Sequence, residues 1–114
     1  MFSEIPAVVA LLSLVWLHFV ADFILQSDYT AKNKSKSNRV LLKHVLIYGT
    51  PFLVVGLTYA LINAALHFCI DWGTSRWTSH LYVKGHRHWF FVVIGLDQAL
   101  HATCLLVTYY VLFK

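Results

Sequence analysis

The chain has 114 residues, of which 59% are hydrophobic and 12% are charged, and its mean hydropathy is +0.65. A soluble domain is roughly 45–50% apolar and about 25% charged, so this composition disfavours an ordinary soluble protein and indicates a single transmembrane domain over residues 1–114. The net charge of +4 does not indicate nucleic-acid binding, because the basic residues lie in short segments between apolar runs and form no folded basic face.

The first apolar run, residues 5–26, is long enough to cross a hydrocarbon core of about 30 Å as a helix. No basic segment precedes it and no small-residue cleavage pattern follows it, so we expect a retained span and not a cleaved signal. The next segment, 27–39, has the polar sequence SDYTAKNKSKSNR and predicts a loop.

The following apolar stretch is too long for one span and contains Gly49, Pro51 and Gly56. We predict a second helix over 40–56, kinked or loosened at Pro51, and a third over 57–77 after a tight turn. A second polar loop, 78–88, precedes the fourth predicted helix, 89–113. The expected fold is all-α, a polytopic transmembrane four-helix bundle with short loops.

The two predicted loops, 27–39 and 78–88, both carry Lys and Arg, and with four spans they lie on the same side of the membrane. The positive-inside rule makes that side cytoplasmic. Three tryptophans, Trp72, Trp77 and Trp89, fall at the predicted cytoplasmic ends of spans, where interfacial aromatic residues are common. We expect the lipid bilayer as partner, and a homo-oligomer or a membrane-protein partner is compatible with such a surface.

Ionisable side chains inside the predicted spans carry the most information about function. An Asp or Lys at mid-span costs about 2.5–3.5 kcal/mol on insertion scales, so a lipid-facing arrangement of several is untenable. Seven histidine and aspartate side chains lie inside the predicted spans: His18, Asp22, His44, His67, Asp71, Asp97 and His101. Six of them form His–Asp pairs spaced i, i+4, which share one helical face. Counting about 1.5 Å per residue from the cytoplasmic ends places most at similar depths, with His101 deepest, so we expect them to meet.

Three carboxylates and four imidazoles are a ligand set for one or two divalent ions, with Zn²⁺, Mn²⁺ and Fe²⁺ as candidates. A bound ion would offset the repulsion between carboxylates in a low dielectric and would activate water for hydrolysis. All seven residues are therefore metal-ligand candidates, and His44 and Asp22 are also the catalytic candidates, His44 as a ligand or general base. Two other interpretations stay open, a proton or ion relay and a structural network of His–Asp hydrogen bonds between helices.

A few further polar residues bear on this cluster. Tyr48 lies one turn after His44 and is placed to donate a hydrogen bond into it, while Gln98 points away from Asp97 toward a neighbouring helix. Lys34 follows the first helix near the expected entrance for a cytoplasmic substrate, but ordinary loop polarity is the favoured interpretation.

The strings HFVADFILQSDYTAKNK, KHVLIYGTPF, HFCIDW and DQALH resemble a family of small bacterial and phage membrane proteins, domain of unknown function 3307. The family pattern is H-x3-D-F-x-x-Q, a His opening the second helix, H-x3-D in the third and D-Q-x3-H in the fourth. All four elements match, at His18, Asp22, Phe23, Gln26, His44, His67, Asp71, Asp97, Gln98 and His101. The resemblance spans nearly the whole chain and implies no particular activity.

We therefore expect a multi-pass protein of the bacterial cytoplasmic (inner) membrane, with a buried His/Asp site open toward the cytoplasm. The functional hypothesis is metal-dependent hydrolysis of a membrane-associated or phosphate-containing substrate. The alternatives are a proton or metal-ion transporter or relay, and a non-catalytic accessory membrane protein that binds a partner. Metal identity and number, substrate and oligomeric state do not follow from the sequence.

Overall fold

The computed structural model describes residues 5–113, and every regular element in that range is helical. The prediction of an all-α fold is confirmed. Residues 1–4 and 114, which the predicted domain included, lie outside the described range. The elements are α1 (Ala7–Phe19) with a π-helical continuation (Val20–Ile24), α2 (Asp28–Asn33), α3 (Asn38–Gly49) with a following 3₁₀ segment (Pro51–Val54), α4 (Leu57–Val83) and α5 (Arg87–Phe113).

The predicted loop 27–39 is wrong in part, because it contains α2. Ser27 caps this short helix by accepting a hydrogen bond from the Thr30 backbone N–H, and Asp28 lies in its first turn, where the helix dipole favours a negative charge. A second serine, Ser37, caps α3 by accepting from the Val40 N–H. α2 carries no apolar stripe, so hydropathy alone does not reveal it.

The predicted loosening at Pro51 and the turn before residue 57 both agree with the structure. α3 ends at Gly49, and the chain continues through the 3₁₀ segment that starts at Pro51, since proline supplies no N–H for the preceding turn. α4 then begins at Leu57, directly after Gly56.

The predicted loop 78–88 is also too long, since α4 continues to Val83 and α5 starts at Arg87. α4 ends in a Schellman motif: the His86 N–H donates to the Leu81 carbonyl, the Gly85 N–H donates to the Tyr82 carbonyl, and Gly85 has a φ of +77°. The apolar run therefore ends before α4 does, and Gly85 marks the end of this helix.

α4 packs against α3 and α5, and α1 packs against α5. The side-chain contacts along α4 show that α3 and α5 both run antiparallel to it. One half of the interior is mainly apolar and includes Leu14, Phe52, Tyr59, Leu105 and Tyr109. The Tyr59 hydroxyl donates to the Leu105 carbonyl at 2.8 Å, so this buried polar atom is satisfied. The other half of the interior is polar and contains the candidate site.

Two helices of the described part of the chain are long and apolar enough to cross a membrane, Ala7–Ile24 and Arg87–Phe113. α4 is as long as α5, but the two candidates do not include it, and α3 has only 12 residues. At about 1.5 Å per residue α3 alone is shorter than a hydrocarbon core.

The turn between α4 and α5 gives a matched test of this backbone. Gly85→Ala places a Cβ at positive φ, and we expect it to lower the free energy of unfolding by about 1 kcal/mol. Gly73→Ala lies inside α4 with open space around its Cβ, and we expect it to raise that free energy by about 0.5–1 kcal/mol. Thermal unfolding of the two purified variants measures both, and equal shifts in the same direction would contradict this description of the turn.

Candidate functional site

The structure brings all seven predicted ligand residues into one cluster in the polar half of the interior. Every one of the four imidazoles and two of the three carboxylates are buried, with at most 7% of each residue exposed, and Asp97 is partly buried. The buried six are His18, Asp22, His44, His67, Asp71 and His101. Whether they bind metal stays a prediction, but their expected convergence agrees with the structure.

The π-helical segment at the end of α1 carries Asp22, whose carboxylate reaches both His44 on α3 and His67 on α4. A π-helical turn changes the direction of the side chains that follow it and is frequent at functional sites. His18, one turn earlier, contacts Gln98 on α5. The end of α1 therefore connects the cluster to α3 and α4 through Asp22 and to α5 through His18.

Four groups form the inner part of the cluster, here called the inner tetrad: Asp22, His44, His67 and Asp71. The His44 Nε2 lies 3.1 Å from the Asp22 Oδ1, 3.1 Å from the His67 Nε2 and 3.5 Å from the Asp71 Oδ2. The His67 Nε2 lies 3.2 Å from the Asp71 Oδ2 and 3.6 Å from the Asp22 Oδ1. Three helical segments, the π-helical end of α1, α3 and α4, therefore direct four ligand atoms to one point.

The spacing of the inner tetrad fits a tetrahedral metal site. Ligand atoms bound at about 2.0–2.1 Å from such an ion lie about 3.3–3.4 Å from one another. The five distances given above range from 3.1 to 3.6 Å, and all the donor atoms lie within 4.8 Å of one another. The residues present can therefore hold a divalent ion with little movement.

Aromatic packing and hydrogen bonds fix the imidazoles. The ring of His67 is stacked between Tyr48 and His101, with ring centroids 3.9 and 4.1 Å away. The Tyr48 hydroxyl lies 2.9 Å from the His18 Nδ1, and the Gln98 Oε1 lies 2.8 Å from the His18 Nε2. Tyr48 thus makes the contact expected of it. Gln98 reaches a neighbouring helix as expected, but the prediction that it points away from Asp97 is wrong, because its amide also donates to that carboxylate.

Lys34 is a site residue that the sequence analysis undervalued. Its Nζ donates to the Asp71 Oδ2 at 3.0 Å, the same oxygen that faces His44 and His67. The ammonium partly offsets the charge of the buried carboxylates. Several lysines share its polar segment, and no sequence signal separates Lys34 from Lys32 or Lys36, because the contact depends on how α2 packs.

A cleft of about 160 Å³ leads to the cluster from one side. Asp22, Asp71 and Asp97 lie along it together with Lys34, and the hydroxyl residues Thr74, Ser75 and Thr78 form part of its wall. The Asp97 carboxylate accepts hydrogen bonds from the Thr74 hydroxyl and the Gln98 amide. The cleft gives an ion or a small anionic group direct access to the carboxylates.

The model of a family described as "Protein of unknown function (DUF3307)" matches residues 10–114. This match confirms the family resemblance seen in the four motifs. No curated protein and no solved structure matches the chain.

Lys34 and a metal ion would compete for the same oxygen of Asp71. We therefore expect Lys34→Met to tighten divalent-metal binding by about tenfold, a change of about 1.4 kcal/mol, because the competing ammonium is gone. Isothermal titration of the metal-free protein with Zn²⁺ or Mn²⁺ measures the affinity. Lys32→Met, at an exposed position of α2, is the control and should leave the affinity unchanged; weaker binding by Lys34→Met would contradict the competition.

Proposed function

This chain belongs to the DUF3307 family. We propose, from the geometry of its buried cluster, that it is a membrane-embedded, metal-dependent hydrolase of a phosphate-containing substrate. Its inner tetrad would hold a divalent ion of the Zn²⁺, Mn²⁺ or Fe²⁺ class. The substrate would reach this ion through the cleft beside Lys34. The observation that carries the proposal is the set of inner-tetrad distances, which fit a tetrahedral shell of metal ligands.

The membrane part of the proposal is supported by where the apolar side chains lie. Most apolar residues of α1 and α5 are exposed, including Leu12, Trp16, Phe91, Val107 and Val111. A core helix of a soluble protein would bury such residues, whereas a lipid-facing helix exposes them. We propose that α3 with its 3₁₀ segment and α4 complete a four-pass bundle in the bacterial inner membrane, with the basic regions 27–39 and 78–88 on the cytoplasmic side.

The metal part is supported by the charge of the inner tetrad. Two carboxylates converge in a buried site, and Lys34 forms an ion pair with only one of them, Asp71, among the described residues. The Nε2 atoms of His44 and His67 face each other and can share at most one proton in a hydrogen bond. The other ligand atoms of the inner tetrad must then have other partners. A divalent ion would satisfy all four donors together and offset both charges.

The roles of individual residues follow from their access to the cleft. A bound ion would supply Lewis acidity and an activated water to the site. His44 is 2% exposed and its Nε2 faces the other three donors, so we assign it as a ligand and not as a general base. Asp22 lines the cleft as well as the inner tetrad. Lys34, with Ser75 and Thr78, would bind the negative oxygens of a phosphate group.

A transport function receives less support from the same interior. Beyond His18 and His101 the core continues with mainly apolar residues such as Leu14, Phe52 and Leu105. A relay across the membrane needs polar groups or water along the whole path. The cleft opens into the polar half of the interior, and the apolar half lies beyond it. This arrangement favours a site that its substrate reaches from one side only.

Metal content tests the first half of the proposal. Protein purified in mild detergent without chelator should contain about one or more divalent ions per chain, and His67→Gln and Asp71→Asn should each remove the inner-tetrad ion. His80→Gln, at an exposed position of α4, is the control and should keep the metal. Elemental analysis after gel filtration measures the ratio, and less than about 0.2 ion per chain in the unmodified protein would reject the site.

Phosphate release tests the second half. The metal-loaded protein should release inorganic phosphate from lipid phosphates in mixed micelles, and chelation should stop this release until the metal is restored. His44→Gln should lower the rate by at least about 100-fold through loss of a ligand, while His80→Gln should retain it. Metal-dependent ion flux in proteoliposomes without any hydrolysis would instead indicate the transport alternative.

A further inference from the structure

The two carboxylates of the inner tetrad each direct their second oxygen away from it. The Asp22 Oδ1 faces His44, while its Oδ2 lies 3.8 Å from the His18 Nε2. The Asp71 Oδ2 faces His67, while its Oδ1 lies 4.0 Å from the His101 Nε2. Each carboxylate therefore lies between one imidazole of the inner tetrad and one imidazole outside it.

The two outer imidazoles, His18 and His101, lie side by side. Their ring centroids are 5.5 Å apart, and donor atoms of His18, Asp22 and His101 all lie within 4.8 Å of one another. His101 is only 2% exposed, and its Nε2 forms no hydrogen bond with any described residue. A buried ring nitrogen without a hydrogen bond is costly unless another partner binds it.

We propose that the chain has a second divalent-metal site, formed by the Nε2 atoms of His18 and His101 and the outer oxygens of Asp22 and Asp71, so that these two carboxylates bridge two ions. The inference rests on the proposed function, since the first ion is the one held by the inner tetrad. Both sites would take ions of the same class, because each offers two imidazole nitrogens and two carboxylate oxygens.

Asp97 supports the second site by contacting His101 at the ring nitrogen that is not a proposed ligand. Its Oδ2 lies 3.3 Å from the His101 Nδ1, on the opposite side of the ring from Asp71. Carboxylates in this position orient a ligating imidazole and make it a stronger ligand. Asp97 is itself held by Thr74 and Gln98. Thr74 and Gln98 therefore act on the His101 ring through Asp97, at the nitrogen opposite the proposed ligand atom.

The second site should bind more weakly than the first. Its imidazole–carboxylate distances of 3.8 and 4.0 Å exceed those of the inner tetrad, so its ligands must move closer together. The His18 Nε2 must also release the Gln98 Oε1, which lies at 2.8 Å. Two ions at about 3.5–4 Å from each other would then act on both the attacking and the leaving oxygen of a phosphoryl group.

Manganese titration with electron paramagnetic resonance tests this directly. The metal-free full chain in detergent should bind two Mn²⁺ ions, the second about tenfold or more weakly than the first. At two equivalents we expect the spectrum of an exchange-coupled pair, because bridging carboxylates place the ions close together. His101→Gln should bind one uncoupled ion with the affinity of the first site.

The variants separate failure of this inference from failure of the proposed function. A single ion in the unmodified chain, lost in His67→Gln and kept in His101→Gln, would overturn the second site and leave the first intact. No ion in the unmodified chain would overturn both. Two uncoupled ions that His101→Gln does not affect would place the second ion elsewhere and also overturn the inference.

Two further variants guard against misfolding. Asp97→Asn keeps the size of the side chain and should weaken only the second ion, so an unchanged second affinity in this variant would count against the inference. His86→Gln, at an exposed position of the α4–α5 turn, should keep both ions and their coupling. Retention of the first-site affinity in His101→Gln itself reports that the fold is intact.

Discussion

The contact on which the rest of the structure depends is the meeting of Asp22 and Asp71 with His44 and His67 in the buried interior. Charged groups away from water are strongly unfavourable unless partners surround them. These four residues come from α1, α3 and α4, so satisfying any one of them requires three helices to hold fixed positions. Because three helices must hold fixed positions to satisfy these buried charges, the geometry of the cluster is well defined.

The fold separates this polar half from an apolar half that provides most of the packing. Each long helix passes from one half to the other, as α4 does between Tyr59 and Asp71. Tyr48 connects the halves, because its ring packs on Phe52 on one side and on His67 on the other while its hydroxyl meets His18. Packing in the apolar half therefore adds to the restraint that hydrogen bonds place on the imidazoles.

Much of this arrangement could be predicted from the sequence, and the failures have physical causes. The i, i+4 spacing of His and Asp indicated which side chains share a face. Pro51 indicated where the predicted helix 40–56 is interrupted, although the end of α3 at Gly49 was not predicted. Hydropathy could not reveal α2 or the last turns of α4, since caps and a Schellman glycine, Gly85, determine those ends. Neither the role of Lys34 nor the π-helical turn at Asp22 could be predicted, because both depend on packing between helices.

In the proposed function, the metal would be reached past α2 and Lys34, which belong to the least apolar part of the chain. α2 has six residues, and Lys34 follows directly after it to reach Asp71. The Ser27 cap and contacts with α3 hold this segment, whereas the walls behind it belong to long packed helices. Local opening is easiest where few apolar contacts must be broken. The wall that carries Lys34 is therefore the part of the site best able to move, which would let ion entry and substrate binding occur without disturbing the inner tetrad.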